Sequence, residues 1–471
     1  MHHIVEAPKP NPTSGHPISR RALLEGSASA GFVAAAAGGG SVLRTGDANA
    51  ADPGAGGPGA RQMAAFRIRQ AAAQAYLNVQ EPLHRSNGDE ARYPDKRASF
   101  AKTLPHNEAG EVDPEAFAAF VSVLSSGDPN GFETIPRDGN AETDLNNPQA
   151  TYAFDLVGLD SAATSLDPPP TFSSALMATE MAEVYWLALT RDVPFRDYET
   201  DALVAAAVAD MNAFTEPLTS GTGTKWTPAT VFRGETRGDI IGPHLSQFLW
   251  LDIPYGIKTI EQRYTVPSRG QSFLTNYAEW LACQRGARPG SRLAFDATPR
   301  FICSARELAE YVHRDFSFQS YMNAALIMLA LGKDALSPTN PYRSSPTQFG
   351  DITLGSKNVL SLVAQAALLG QKGAYFHKWQ IHRRLRPECF AGRIETHTTG
   401  RRQYDLHADI LPVRCGRTGA VTVWDTPPAR RLPRGMSHAP ILPLGPCLQC
   451  RRLHHDPQGL FRRGLPPSAS G

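Results

Sequence analysis

The feature that most constrains this chain is a long apolar stretch of helical period, Gly355 to Leu385, rich in Ala and Leu as far as Trp379 and stopped by Pro387. A helix of that kind has to be covered by others. Apolar residues recur at the same spacing in Gln62–Val79, Pro114–Leu124, Ser173–Thr190, Tyr198–Thr215, Gln271–Gly286, Ala305–His313 and Ser320–Gly332, whereas alternating strand patterns are few. Polar loops dense in Pro, Gly, Asp and Asn, such as IPRDGNAETDLNNPQ and LDPPPTFSS, separate them. The pattern predicts a mostly α fold, a helical bundle with long loops rather than an α/β sheet.

Composition narrows the functional classes. The 471 residues are 41% apolar and 20% charged, enough for a sizeable core, and the net charge of +2 excludes a protein that wraps a polyanion with its whole surface. No nucleic-acid partner is expected, and any basic site must be local. Six irregularly spaced cysteines do not make a disulfide framework. At the N-terminus, Ser19-Arg20-Arg21-Ala22-Leu23-Leu24, a weakly apolar Ala/Gly run and Ala48-Asn49-Ala50 have the form of a twin-arginine export signal with a cleavage site. The expected location is periplasmic or extracellular. The run is too weakly apolar for a membrane span, so no integral membrane protein is expected.

Three regions follow: a signal and linker over 1–60, a helical domain over 61–411, and an aberrant tail over 412–471. From Pro412 the chain has no lysine or glutamate, many Arg and Pro, and no sustained period.

The helical run enters HKWQIHRRLRPE, His377 to Glu388, with six cationic or protonatable side chains in twelve residues. On a continued helix Lys378, His382 and Arg386 fall at i, i+4 and i+8, within one broad face, with Pro387 placing Arg386 near the helix end. Lysine offers a point charge and arginine a planar fork of donors, a pair suited to the oxygens of a tetrahedral or trigonal-bipyramidal oxyanion. Such crowding is costly without an anion. The bland alternative is a solvated basic face.

A resemblance tilts the balance towards the first. KWQIHRRLRPE, a lysine followed after seven residues by Arg-Pro, resembles the first active-site motif of the vanadium-dependent haloperoxidases of the bromoperoxidase type, within the superfamily shared with type 2 phosphatidic acid phosphatases, whose own motif is one residue shorter. RSNGDEARYP (85–94), SFAKTLPHNEAGEVD (99–113), NNPQATYAFDLVGLDS (146–161), FSSALMATEMAEVYWLALTRDVPF (172–195) and VFRGETRGDIIGPHLSQFLWLDIPYG (231–256) are also similar to that family, so the resemblance covers about 62–411. It implies a vanadate cofactor in a helical bundle, an apical histidine on vanadium, and oxidation of a halide by hydrogen peroxide, with a small organic substrate taking the halogen. It further implies that Lys378 and Arg386 contact vanadate oxygens. His382 either lines the same pocket or is a structural histidine, and His377 and Arg383 have no assigned role. Family members often form oligomers. A phosphatase of the same superfamily and an inactive truncated product are the alternative readings.

The resemblance also implies a P-S/A-G-H-A segment and a later Arg with a Gly-Val-His-type segment that supplies the apical histidine. Neither is present after Leu411. Read one nucleotide later, Met436-Ser437 gives cysteine and Trp424-Asp425 gives glycine. Continued in this way, Pro433 to Leu448 is compatible with PEGCPTHPSYPSGHA, which contains the missing motif. A frameshift at about 411–413 is therefore expected, with Lys378 and Arg386 left facing chiefly each other and halogenation weak or absent. The same argument disarms Cys447, Cys450, His454 and His455, which mimic a zinc site, so no metal ligands are assigned.

Overall fold

The computed structural model describes residues 58–411, except 155–157, 217–224, 235–241, 273, 275, 289–292 and 317. The twin-arginine motif, the tail and its Cys/His cluster lie outside the described residues. Helices dominate: α1 (Pro58–Leu77), α2 (Asp89–Arg92), α3 (Pro114–Ser126), α4 (Ala175–Thr190), α5 (Ala202–Met211), α6 (Tyr277–Gln284), α7 (Ala305–Arg314), α8 (Gln319–Ala330), α9 (Ser356–Phe376) and α10 (Pro387–Thr398). Among the described residues the only sheet is an antiparallel hairpin of β1 (Ile253–Tyr255) and β2 (Lys258–Ile260), with Pro254 opposite Thr259. The mostly α expectation holds. No helix among the described residues is long and apolar enough to cross a membrane.

The chain divides into two compact units. In the first, α1 is joined by Gly158–Asp160, where the Asp160 amide donates to the Tyr76 hydroxyl at 3.3 Å. The second holds Pro82–Ala153 and the described residues from Ser161 onward, and it contains the site.

Within this second unit, local sequence explains where helices begin. Asp113 caps α3 by accepting from the Ala116 amide at 2.8 Å, Pro114 occupies the first turn, and Gly127 ends the helix at φ 63°. Ala116, Phe117, Phe120 and Leu124 then form one buried face. Helix α4, capped by Ser174, is buried on nearly all sides, which is why its sequence reads as apolar without a clear polar face. Its Met181, Ala182 and Tyr185 pack with Trp280 of α6 and with Phe390, Ala391 and Ile394 of α10.

Helix α10 was not expected from the sequence. It begins at Pro387, at the position where a missing N–H costs nothing, and buries Phe390, Ala391 and Ile394. Gly392 lets it approach α6: a Cβ there would lie 1.9 Å from Trp280 Cζ2.

The expectation of one helix from Gly355 to Leu385 fails. Helix α9 ends at Phe376, and His377–His382 forms a single wide π-turn. Tertiary packing supplies the reason. Trp379 is driven into a second core against Phe100 and Phe120, at ring distances of 5.3 and 6.1 Å. Arg383 then turns left-handed at φ 35°, and its carbonyl accepts from the Phe100 amide at 2.6 Å, while the Leu385 amide donates to the Ala98 carbonyl. The Arg383 amide still closes the π-turn on the Lys378 carbonyl, and backbone pairing with 98–100 takes over from there.

Candidate functional site: a cation-rich helix break

The π-turn and the first turn of α10 replace the single helical face predicted for Lys378, His382 and Arg386. Lys378 leaves from the turn, whereas Arg386 sits in extended backbone (φ −76°, ψ 153°) as the residue before α10. Pro387 marks a helix start, not a helix end. The Arg386 charge still acts on Lys378.

Lys378 is partly buried, and its ammonium lies 4.2 Å from the centroid of the Trp379 ring, 5.5 Å from that of Tyr375 and 5.6 Å from that of Phe100. No carboxylate pairs with it among the described residues. Burial first, and Arg386 second, push its pKa down to about 7. A lysine in this setting gains most from a neighbouring anion.

Arg386 is not left facing Lys378 alone, contrary to the expectation above. Its Nε donates to Glu388 Oε1 at 2.6 Å, the same oxygen that takes Lys102 Nζ at 3.2 Å. Glu388 is 3% exposed; burial pushes its carboxyl up, but Arg386 and Lys102 overcome this and hold it below the usual range. Beyond Nε, the guanidinium has no hydrogen bond among the described residues. Two cations, Lys102 and Arg386, thus share one carboxylate.

The neighbouring arginines behave differently. Arg383 is bidentate on Glu90, at 2.7 and 3.0 Å, and Arg384 pairs with Glu180. These contacts are structural, and they remove most of the crowding that the sequence suggested an oxyanion must relieve. What remains is concentrated at Lys378 and Arg386.

His382 lies in a group of imidazoles. It stacks on His377 at 5.4 Å and 18°, and His84 meets His377 edge-on at 5.3 Å. Carbonyls only accept, so His84 donates Nε2–H to Ala162 at 3.0 Å and His377 donates Nε2–H to Thr164 at 2.9 Å. Both His382 nitrogens are buried without hydrogen-bond partners among the described residues. Burial, then His377, Arg384, His84 and Arg383, lower its pKa to about 4. Among the described residues no three His, Cys, Asp or Glu side chains are placed to hold a metal ion.

Sequence reasoning missed Glu388, Lys102 and His84. The first had a local signal: proline followed by an acid, Pro387-Glu388, is the signature of a helix first turn. Lys102 and His84 had none, since they come to the site from 286 and 293 positions away from Glu388 and His377 respectively in chain terms that only folding closes.

The fold and this break together define a class: an α-helical protein holding, next to a buried helix start, cations in excess of carboxylates, the electrostatic form of an oxyanion site. Comparison with known proteins gives the family. No family model matches the chain. It is 33% identical over 365 residues to a vanadium-dependent bromoperoxidase of Ascophyllum nodosum, covering 75% of this chain and 65% of that protein. To the vanadium-dependent bromoperoxidase of Corallina pilulifera it is 30% identical over 407 residues, covering 71% and 68% respectively. The homohexameric structure of the second vanadate-dependent bromoperoxidase from Ascophyllum nodosum superposes with a TM-score of 0.71 at 28% identity, over 80% of this chain and 64% of that one. The chain belongs to the vanadium-dependent bromoperoxidase family. It spans about two thirds of the length of these relatives.

Proposed function

We propose that the chain carries part of a vanadate site whose chemistry is the oxidation of halide by hydrogen peroxide, with Lys378 and Arg386 contacting vanadate oxygens. The observation that carries this reading is Lys378, a partly buried cation with aromatic neighbours and no carboxylate, beside an arginine whose terminal nitrogens are unengaged. That is a wall fitted to an anion with several oxygens. Vanadate, when bound, supplies the electrophilic centre at which peroxide is activated, so that halide, peroxide and a proton give hypohalous acid and water. The protein's share is electrostatic. Trp379, Tyr375 and Phe100 keep the Lys378 ammonium from water, which strengthens its hold on an anion. With its pKa near 7, Lys378 is drawn fully to the charged form when the anion arrives.

The tail bears on how much activity this chain retains. Residues 412–471 spell neither further motif of the family, and the neighbouring frame is compatible with one of them. A frameshift at about 411–413 accounts for both, and halogenation is then weak or absent. Export by the twin-arginine route rests on Ser19–Leu24. An oligomer is part of the same reading, since the solved relative is a homohexamer.

Calorimetric titration of the full chain with orthovanadate tests the site: binding is expected, and Lys378→Ala should abolish it. Absence of binding to the unmodified chain overturns the assignment. Bromination of monochlorodimedone after adding vanadate is expected near background; rapid turnover would refute the frameshifted reading, as would a gene sequence with no adjacent frame encoding PSGHA.

A further inference from the structure

We propose that Glu388, whose Oε1 is also bonded by Lys102, is the positioning residue that fixes Arg386 beside Lys378 and aims its free nitrogens at the oxyanion. The inference rests on the reading of Lys378 and Arg386 as an oxyanion site, but its first test needs no anion.

The geometry carries the argument. Arg386 precedes the first helical residue of α10, so its backbone is held while its long side chain is free to choose a direction. Glu388 lies two residues on, in the first turn, and cannot wander: Trp280 Nε1 donates to its carbonyl at 2.8 Å, and the side chain is sealed inside the protein. Its Oε1 takes Arg386 through Nε, the nitrogen nearest the chain, which leaves both terminal nitrogens to a ligand. A carboxylate meant to neutralise the arginine would engage the terminal nitrogens as well, in the way Glu90 grips two nitrogens of Arg383.

Lys102 completes the device. A lone buried carboxylate beside a ligand-bound arginine would tend to protonate, and a protonated carboxyl loses most of its hold on Nε. Lys102, itself 6% exposed and bonded to the same oxygen, keeps the charge in place. Together the three groups leave Arg386 aligned but not fully neutralised.

Positioning and simple charge balance predict opposite results. If Glu388 only offsets charge, Glu388→Gln makes the site more positive, so orthovanadate binds as tightly or more tightly and Lys378 titrates at the same pH or lower. If Glu388 positions Arg386, the guanidinium leaves, and the charge that depresses Lys378 goes with it. The Lys378 pKa, read by NMR of the 13C-methylated lysines in the full chain, should then rise by about half a unit or more. Orthovanadate affinity should fall roughly tenfold or more. Glu388→Gln leaves Lys102 buried and unpaired, so the double variant Lys102→Met/Glu388→Gln, which removes both charges of that pair, is measured alongside it. An unchanged or lowered Lys378 pKa in a folded variant overturns the proposal. If the unmodified chain fails to bind vanadate, the site assignment falls, while the pKa result still decides whether Glu388 holds Arg386.

Discussion

Two charge clusters in this protein use the same kinds of side chain to different ends. Where α4 ends and α7 begins, Arg306 grips Asp192 through two nitrogens, one at 2.8 Å, and also reaches the Gln271 carbonyl. Arg191 donates to the carbonyls of Ala188 and Gln271 and to Ser272, and Arg300 is shared by Asp296 and Glu307. Two arginines, Arg306 and Arg300, meet three carboxylates, and Arg191 is held by carbonyls and a hydroxyl. Around the π-turn, Lys102 and Arg386 share Glu388, and Lys378 lies against aromatic rings with no carboxylate among the described residues. The difference is one of charge balance: in the first cluster the carboxylates match the arginines, whereas around the π-turn cations outnumber carboxylates among the described residues.

Mutation should separate the two most sharply in stability. Asp192→Ala strands Arg306, which is 3% exposed, and should cost about 3–5 kcal/mol in urea denaturation. Lys378→Met removes an uncompensated cation and should instead be neutral or stabilise by roughly 1–3 kcal/mol at pH 6. Equal losses in the two variants would erase the distinction.

The pH dependence sharpens it further. Lys378 has a folded pKa of about 7 against an ordinary 10.5, so between those values the unfolded chain binds more protons than the folded one. Stability from this group therefore rises as pH climbs from 7 to 10.5, and Lys378→Met should flatten that slope. His382 follows the same sign lower down. Its folded pKa of about 4 lies below 6.5, so stability falls as pH drops from 6.5 towards 4, by roughly 1 kcal/mol at pH 5.5. Thermal melts of His382→Gln should lack that loss; a melt curve identical to the parent's would show that the imidazole is not buried neutral.

A surface pair sets the lower end of the scale. Lys357 and Asp351 meet at 2.7 Å, with 69% and 37% of their side chains exposed. Lys357→Ala should change stability by less than about 0.5 kcal/mol, since solvent and salt already screen the pair.

Much of the fold was legible in the sequence, and the legible parts share a physical cause. Asp113-Pro114 with Gly127 brackets α3, and Ser174 opens α4, because caps act over three or four residues and leave a local mark. Helices α5 and α6 proved shorter than the predicted Tyr198–Thr215 and Gln271–Gly286, since apolar loop residues flanking them mimic helical period. The break after Phe376 left no such mark. Lys378, Trp379 and the residues to Leu385 suit a helix locally, and the helix yields only because Trp379 has a place against Phe100 and the backbone has partners at 98–100.

By itself, then, the sequence determined that the chain is helical and that a dense run of basic residues lies between His377 and Glu388. Those conclusions need only residue types and spacing. Only the tertiary structure decided which cations are spoken for. Arg383 and Arg384 are closed by Glu90 and Glu180, which lie far from them in the chain, while Lys378 is enclosed by rings that offer no formal negative charge. Charge spacing along a chain is a local property, but whether a charge is compensated depends on which distant segments folding brings against it.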